Sequence, residues 1–141
     1  MNDYCDTSLL VSLYVEDRHS TQADRIVQQC GPIILTSLHR AEWHHAIAQN
    51  VFRGRLSTAE ATAFIAQFLD DTTNPRWVKA VLPENALEVC TEFARRHGPK
   101  LGMRTLDSLH VACALELNAD RFWTFDERQA KLAKAVGLKT G

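Results

Sequence analysis

The chain has 141 residues, 45% of them hydrophobic and 23% charged, which is the composition of one globular domain spanning 1–141. Sixteen Lys and Arg against seventeen Asp and Glu give a formal charge of −1, which excludes a basic coat for nucleic acid and an acidic tail. No apolar run approaches the ~20 residues of a membrane helix, and Met1 to Asp6 lacks the basic stretch of a secretory leader.

Apolar segments alternate between short strand-like runs and longer helical patterns. Asp3 to Asp6 reads as a strand, and Ser8 to Val15 as a helix with Leu9, Leu10, Leu13 and Tyr14 at helical spacing. Thr21 to Cys30 is the next helix, broken by Gly31-Pro32. Pro32 to Thr36, with Ile-Ile-Leu inside it, is a buried strand. Ser37 to Arg53 is helical and Gly54 ends it. Ser57-Thr58-Ala59-Glu60 is a capping box that opens a helix with Ala61, Phe64, Ile65, Phe68 and Leu69 as its apolar stripe. Trp77 to Leu82 is a candidate strand, and Pro83-Glu84 starts a helix that runs to His97. Gly98 to Gly102 reads as a loop. Arg104 to Leu117 is a helix with Leu106, Leu109, Ala112 and Cys113 on its apolar face. Arg121 to Phe125 is an aromatic strand, and Asp126 to Val136 a last helix before Gly137. Strands separated by helices pair in parallel through right-handed crossovers, so the expected class is α/β with a small central parallel sheet. In such sheets ligands bind beyond the carboxyl ends of the strands.

That rule singles out acids. Asp6 follows the first strand and Asp126 the last. Glu42 lies one turn into the helix after the second strand, and Asp107 in the first turn of its own helix. Each also has a plain structural role available. Asp126 with Gln129 fits a capping box. Asp107 suits a helix dipole. Asp6 could cap the first helix, and Glu42 could be a solvated surface acid. Taken together, four acids meeting at one sheet edge would repel one another, and burial would raise the cost of ionising them. A hard divalent cation such as Mg²⁺ relieves that conflict with oxygen ligands, and it suits hydrolysis of phosphodiesters by an activated water.

Four segments then carry a family resemblance: Tyr4-Cys5-Asp6-Thr7-Ser8-Leu9-Leu10, Thr36-Ser37 through Ala41-Glu42, Asp107-Ser108-Leu109-His110-Val111-Ala112-Cys113-Ala114, and Phe122-Trp123-Thr124-Phe125-Asp126-Glu127-Arg128. Across essentially the whole chain the sequence resembles PIN-domain ribonucleases, in particular the VapC-type toxins of type II toxin–antitoxin pairs. The resemblance implies a three-layer α/β/α PIN-like domain and Mg²⁺- or Mn²⁺-dependent endoribonuclease activity. It places the catalytic and metal-binding quartet on Asp6, Glu42, Asp107 and Asp126, with Thr124 and Ser8 in support. It further implies a cytoplasmic protein with an RNA substrate and a cognate antitoxin, as a homodimer or a hetero-oligomer with the antitoxin. Ser108 and Trp43 depart from the family's usual alanine and smaller aliphatic. A catalytically inactive PIN-like RNA- or protein-binding module is the alternative, and a DNA-directed nuclease a third.

The other polar residues weigh less. None of the six histidines forms an HExxH pair. His110 shares a helical face with Asp107, and His45 stands in the same relation to Glu42, so supporting or packing roles are expected of both. Cys5, Cys30, Cys90 and Cys113 lack metal spacing and read as free buried thiols. There is no P-loop, dinucleotide fingerprint or nucleophile elbow. Arg40 and Arg104, close in sequence to Glu42 and Asp107, are candidate phosphate contacts in competition with surface ion pairing. Val51, Phe52, Phe64 and Phe68 could serve the core or a partner-binding face. Without the quartet the rest of the chain carries three more basic than acidic residues. Near-neutral total charge therefore still permits the cutting of RNA.

Overall fold

Five short strands form one wholly parallel sheet in the order β3-β2-β1-β4-β5. The computed structural model describes all residues from 1 to 141. The elements are β1 (Asp3–Cys5), α1 (Thr7–Val11), α2 (Ser20–Gln29), β2 (Ile33–Leu35), α3 (Ser37–Phe52), α4 (Thr58–Asp71), β3 (Trp77–Lys79), α5 (Ala86–Leu101), α6 (Thr105–Glu116), β4 (Arg121–Trp123), α7 (Glu127–Ala135) and β5 (Lys139–Thr140).

Strand side chains alternate between faces, so the sheet feeds two separate cores. Tyr4, Ile34 and Phe122 pack with Cys90, Phe93, Val111, Ala112 and Leu132 of the helices α5 to α7. Cys5, Ile33, Leu35 and Trp123 pack on the opposite face with Leu9, Ile26, Trp43 and Phe68 of the helices α1 to α4. This is the expected three-layer α/β/α arrangement. All four cysteines are free and buried, as their spacing implied, and no helix is long and apolar enough to cross a membrane.

Most elements match the sequence reading with trimmed ends. Three points differ. First, Gly98 to Leu101 is not a loop but the last turn of α5, with Pro99 inside the helix. So near the end a proline forfeits only one ladder bond, and Leu101 is held by packing on the core. Gly102 then stops the helix with φ +63°, a left-handed value that suits glycine. Second, Leu106 is 48% exposed while Leu109, Ala112 and Cys113 are buried. It stands at the rim of an open cleft of about 520 Å³ shared with Glu42 and His45. Beyond that first turn α6 is enclosed, with every residue from Ser108 to Ala114 buried. Third, β5 has only two residues and no apolar alternation to betray it.

The candidate partner face is mostly core. Phe68 is fully buried and stacks on Trp43 with ring centroids 4.0 Å apart. Val51 and Phe64 lean against the same cluster. Only Phe52, at 91% exposure, projects outward.

Candidate active site

The sheet order reverses at β1. From there the chain moves outward to β2 and β3, then returns to place β4 on β1's other side. The crevice beyond the carboxyl ends of β1 and β4 is the switch point where open α/β sheets bind ligands. Asp6 directly follows β1, and Thr124, Phe125 and Asp126 follow β4.

Asp6 is only 7% exposed and caps α1. Its Oδ2 accepts hydrogen bonds from Ser8 N at 3.3 Å and Ser8 Oγ at 2.5 Å. The Ser8 hydroxyl therefore lies beside the first acid, as the resemblance implied. Asp126 caps α7 and accepts from Gln129 N at 3.0 Å. Thr124 Oγ1 accepts from Asp126 N at 3.0 Å and donates to Gln129 Oε1 at 2.6 Å.

Gln129 is the residue the sequence reading undervalued. In a capping box its side chain would turn back to the Asp126 amide. Instead it is fully buried and runs into the crevice. Its Nε2 donates to Asp6 Oδ1 at 3.3 Å and to the Asp107 carbonyl at 3.0 Å. One amide thus ties together the end of β1, the first turn of α6 and the end of β4. Only its position three residues after Asp126 could have flagged it.

Asp107 is half-buried. Burial pushes its carboxyl above the usual aspartate range, and the negative charges of Asp6 and Asp126 add to this. Arg104 opposes the shift from 3.6 Å, but its side chain is 88% exposed and the pair is loose. Asp107, Asp126, Arg104 and Arg128 line one cleft of about 540 Å³. Arg128, which the sequence reading passed over, donates to the Gly102 carbonyl at 3.3 Å. Arg40 is exposed, makes no ion pair and lines none of the clefts described here.

Glu42 is set apart from the three aspartates. Its Oε1 accepts from Thr7 Oγ1 at 2.9 Å and from His110 Nε2. Burial works against its charge, yet the His110 and Thr7 bonds prevail and hold its carboxyl below the usual glutamate range. His110 is itself buried, with Nδ1 2.8 Å from the Tyr4 hydroxyl and Nε2 4.0 Å from Asp6 Oδ1. It therefore stands between Glu42 and Asp6 rather than beside Asp107. His45 has no such place: it is exposed and bonds the Ala41 carbonyl. Beneath them His39 bridges Cys5 O from Nε2 at 2.9 Å and receives Thr36 N at Nδ1 at 3.0 Å. Its burial, and then the nearby His110, lower its pKa to about 3, so this ring is a neutral strut.

The expected convergence is thus partial. Asp6, Asp107 and Asp126 share the crevice, and Glu42 joins them through His110. As the side chains stand, no three His, Cys, Asp or Glu groups close around a single point. The donor set still fits a hard divalent cation. It is all oxygen, its charges repel, and Arg104 is the only arginine ion-paired with it.

The PIN-domain family model matches residues 4–135. The chain belongs to the PIN-domain family. Within it, the chain is 26% identical over 137 residues to Ribonuclease VapC46 of Mycobacterium tuberculosis, covering 96% of this chain and 92% of that protein. Among solved structures it resembles Mycobacterium tuberculosis VapC20, described as a Sarcin-Ricin loop cleaving toxin. The TM-score is 0.70 at 17% identity, over 96% of this chain and 95% of that one. It also resembles VapBC2 from Rickettsia felis bound to a DNA fragment from their promoter, with a TM-score of 0.66 at 15% identity over 100% and 98% of the two chains. The matched span runs from β1 to the end of α7.

Proposed function

We propose that this PIN domain is a metal-dependent endoribonuclease acting as a cytoplasmic toxin, held in check by a cognate antitoxin. The observation that carries the reading is the group of Asp6, Asp107 and Asp126 at the β1/β4 crevice, with more negative charge than the protein around it balances. Its likeness to a named ribonuclease and to VapC structures supports the same reading. The antitoxin, encoded separately, would insert a segment into the acidic groove.

In this reading Asp6, Asp107 and Asp126 hold Mg²⁺ or Mn²⁺, and Glu42 joins them or orients the attacking water. The bound ion supplies water activation and charge neutralisation at the phosphate. Ser8 and Gln129 fix the two oxygens of Asp6, so its remaining lone pairs face the crevice in one orientation. Thr124 sets the Gln129 amide by taking its oxygen. Thr7 and His110 keep Glu42 ionised, which suits a carboxylate that joins the metal ligands or accepts a hydrogen bond from the attacking water. Arg104 at the cleft mouth is placed to exchange Asp107 for a phosphate oxygen. Arg40 keeps its candidacy as a phosphate contact through its unpaired charge alone.

RNA cleavage is expected in Mg²⁺ or Mn²⁺, to be lost in EDTA, and to return when the ion is restored. Cleavage that persists in EDTA would contradict the assignment. Gln129→Leu keeps the buried volume but deletes the amide. It is expected to weaken Mn²⁺ binding by about 10- to 100-fold, the range for partners that orient metal ligands. Calorimetric titration reads this directly.

A second reading has one observation in its favour. One oxygen of Glu42 is engaged by both Thr7 and His110, and no three acids enclose a point. An inactive binding module would look the same. Absence of Mn²⁺ binding by the unaltered protein would favour it.

A further inference from the structure

Beside the acids lies a second cleft, of about 380 Å³, that the proposed chemistry does not use. It shares Ser8 and Asp126 with the acidic crevice, so the two are contiguous. Two aromatic rings line it. His19 and Phe125 stack almost parallel, with centroids 4.3 Å apart and planes 7° from each other. Both are half-buried and both line the cleft. Arg18 lines the same cleft, is exposed and makes no ion pair, and its Nε donates to His19 Nε2 at 3.3 Å.

The loop that carries these residues is held in place. Asp17 accepts from Ser12 Oγ at 2.8 Å and from His19 N at 2.8 Å. The acid is thereby occupied in fixing the loop, while the neighbouring arginine keeps its charge free. Phe125 is fixed from the other side, since it lies two residues after β4 and directly precedes Asp126, the N-cap of α7.

A solvent-reached aromatic pair with an unpaired guanidinium is the chemistry that recognises single-stranded nucleic acid. Unpaired bases stack on aromatic rings, and arginine takes the phosphates between them. The cleft is also within the size range of small-ligand pockets. We propose that this cleft is a nucleobase subsite. An unpaired base next to the cut stacks on the His19–Phe125 pair, and Arg18 takes the adjoining phosphate. The proposal rests on the ribonuclease reading of the neighbouring acids, and it adds a recognition element to it.

The test uses the full chain and an oligoribonucleotide carrying 2-aminopurine, whose fluorescence falls on stacking. With Ca²⁺ replacing Mg²⁺, titration with the protein is expected to quench the single strand and not a duplex of the same sequence. Phe125→Leu, which keeps apolar packing, and His19→Ala are each expected to weaken that binding about tenfold, within the range for one stacked base. Arg18→Gln, on the surface, is expected to weaken it severalfold. In Mg²⁺ the same variants are expected to raise KM by similar factors with kcat within twofold, and to leave Mn²⁺ affinity unchanged. Unaltered binding and KM in Phe125→Leu and His19→Ala would overturn the proposal. So would a fall in kcat at constant KM, which would mark the stack as a mere support for Asp126. Quenching without any cleavage would refute the ribonuclease reading but uphold the subsite. Cleavage without quenching would do the reverse.

Discussion

Asp6→Asn is expected to reduce RNA cleavage by more than about a hundredfold, beyond what loss of an outer partner of a metal site costs, with a loss of folding stability of only about 1–3 kcal/mol from the one hydrogen bond given up. The two halves of that expectation come from the same side chain. Asp6 caps α1 through its bond from Ser8 N, and asparagine caps a helix as well as aspartate does. The Ser8 hydroxyl can turn to meet either an oxygen or an amide, but asparagine has a single oxygen, so it keeps either the cap from Ser8 N or the bond from Gln129 and forfeits the other. What the variant lacks is the negative charge, the property a divalent cation requires. Cleavage rate and thermal unfolding, measured side by side, separate the chemistry from the fold. Undiminished cleavage would remove Asp6 from the site.

Trp43→Ala is expected to destabilise the protein by about 3–5 kcal/mol, the cost of emptying a large aromatic site. That is a large part of the stability of an ordinary domain. Trp43 is fully buried, stacks on Phe68 and meets Tyr14 edge to face at 5.3 Å. It anchors α3 one residue after Glu42. Its indole Nε1 is buried without a hydrogen-bond partner, so part of its contribution is already forfeited. Trp43→Phe keeps the stack and removes the stranded donor, and its cost is expected to fall well below that of alanine. Urea unfolding of the two variants decides the matter. Equal losses would mean that the retained ring and its stack on Phe68 contribute nothing there.

Much of the frame was readable from local signals. Asp6 and Asp126 stood out because each follows a short apolar run, and the strand-end rule turns such positions into suspects. The Ser57 box was legible because both of its bonds lie within four residues, and both form. What stayed hidden depended on distant packing. Gln129 had an adequate local explanation as the partner of Asp126, and only the docking of α7 sends its amide to Asp6. His110 was correctly placed on the face of Asp107, yet its partner is Glu42, 68 positions away. Pro99 read as a helix breaker because sequence cannot show Leu101 being held against the core. The His19–Phe125 stack joins two loops with no pattern linking them.

The first strand lies at the centre of the sheet, and this has a consequence in time. Asp3 to Cys5 finds one neighbour in β2 but waits for the other until β4, at Arg121 to Trp123. Asp6 likewise waits for Gln129. Contacts of such long sequence separation form late and slow the folding of a chain. During synthesis the acids would remain unassembled until the chain through α7 has left the ribosome. A chain that stopped short of Gln129 would lack the amide that orients Asp6. Under the proposed reading, the growing chain is inert until α7 has emerged and docked. Activity would begin when α7 docks, the moment when an inhibitor must already be waiting.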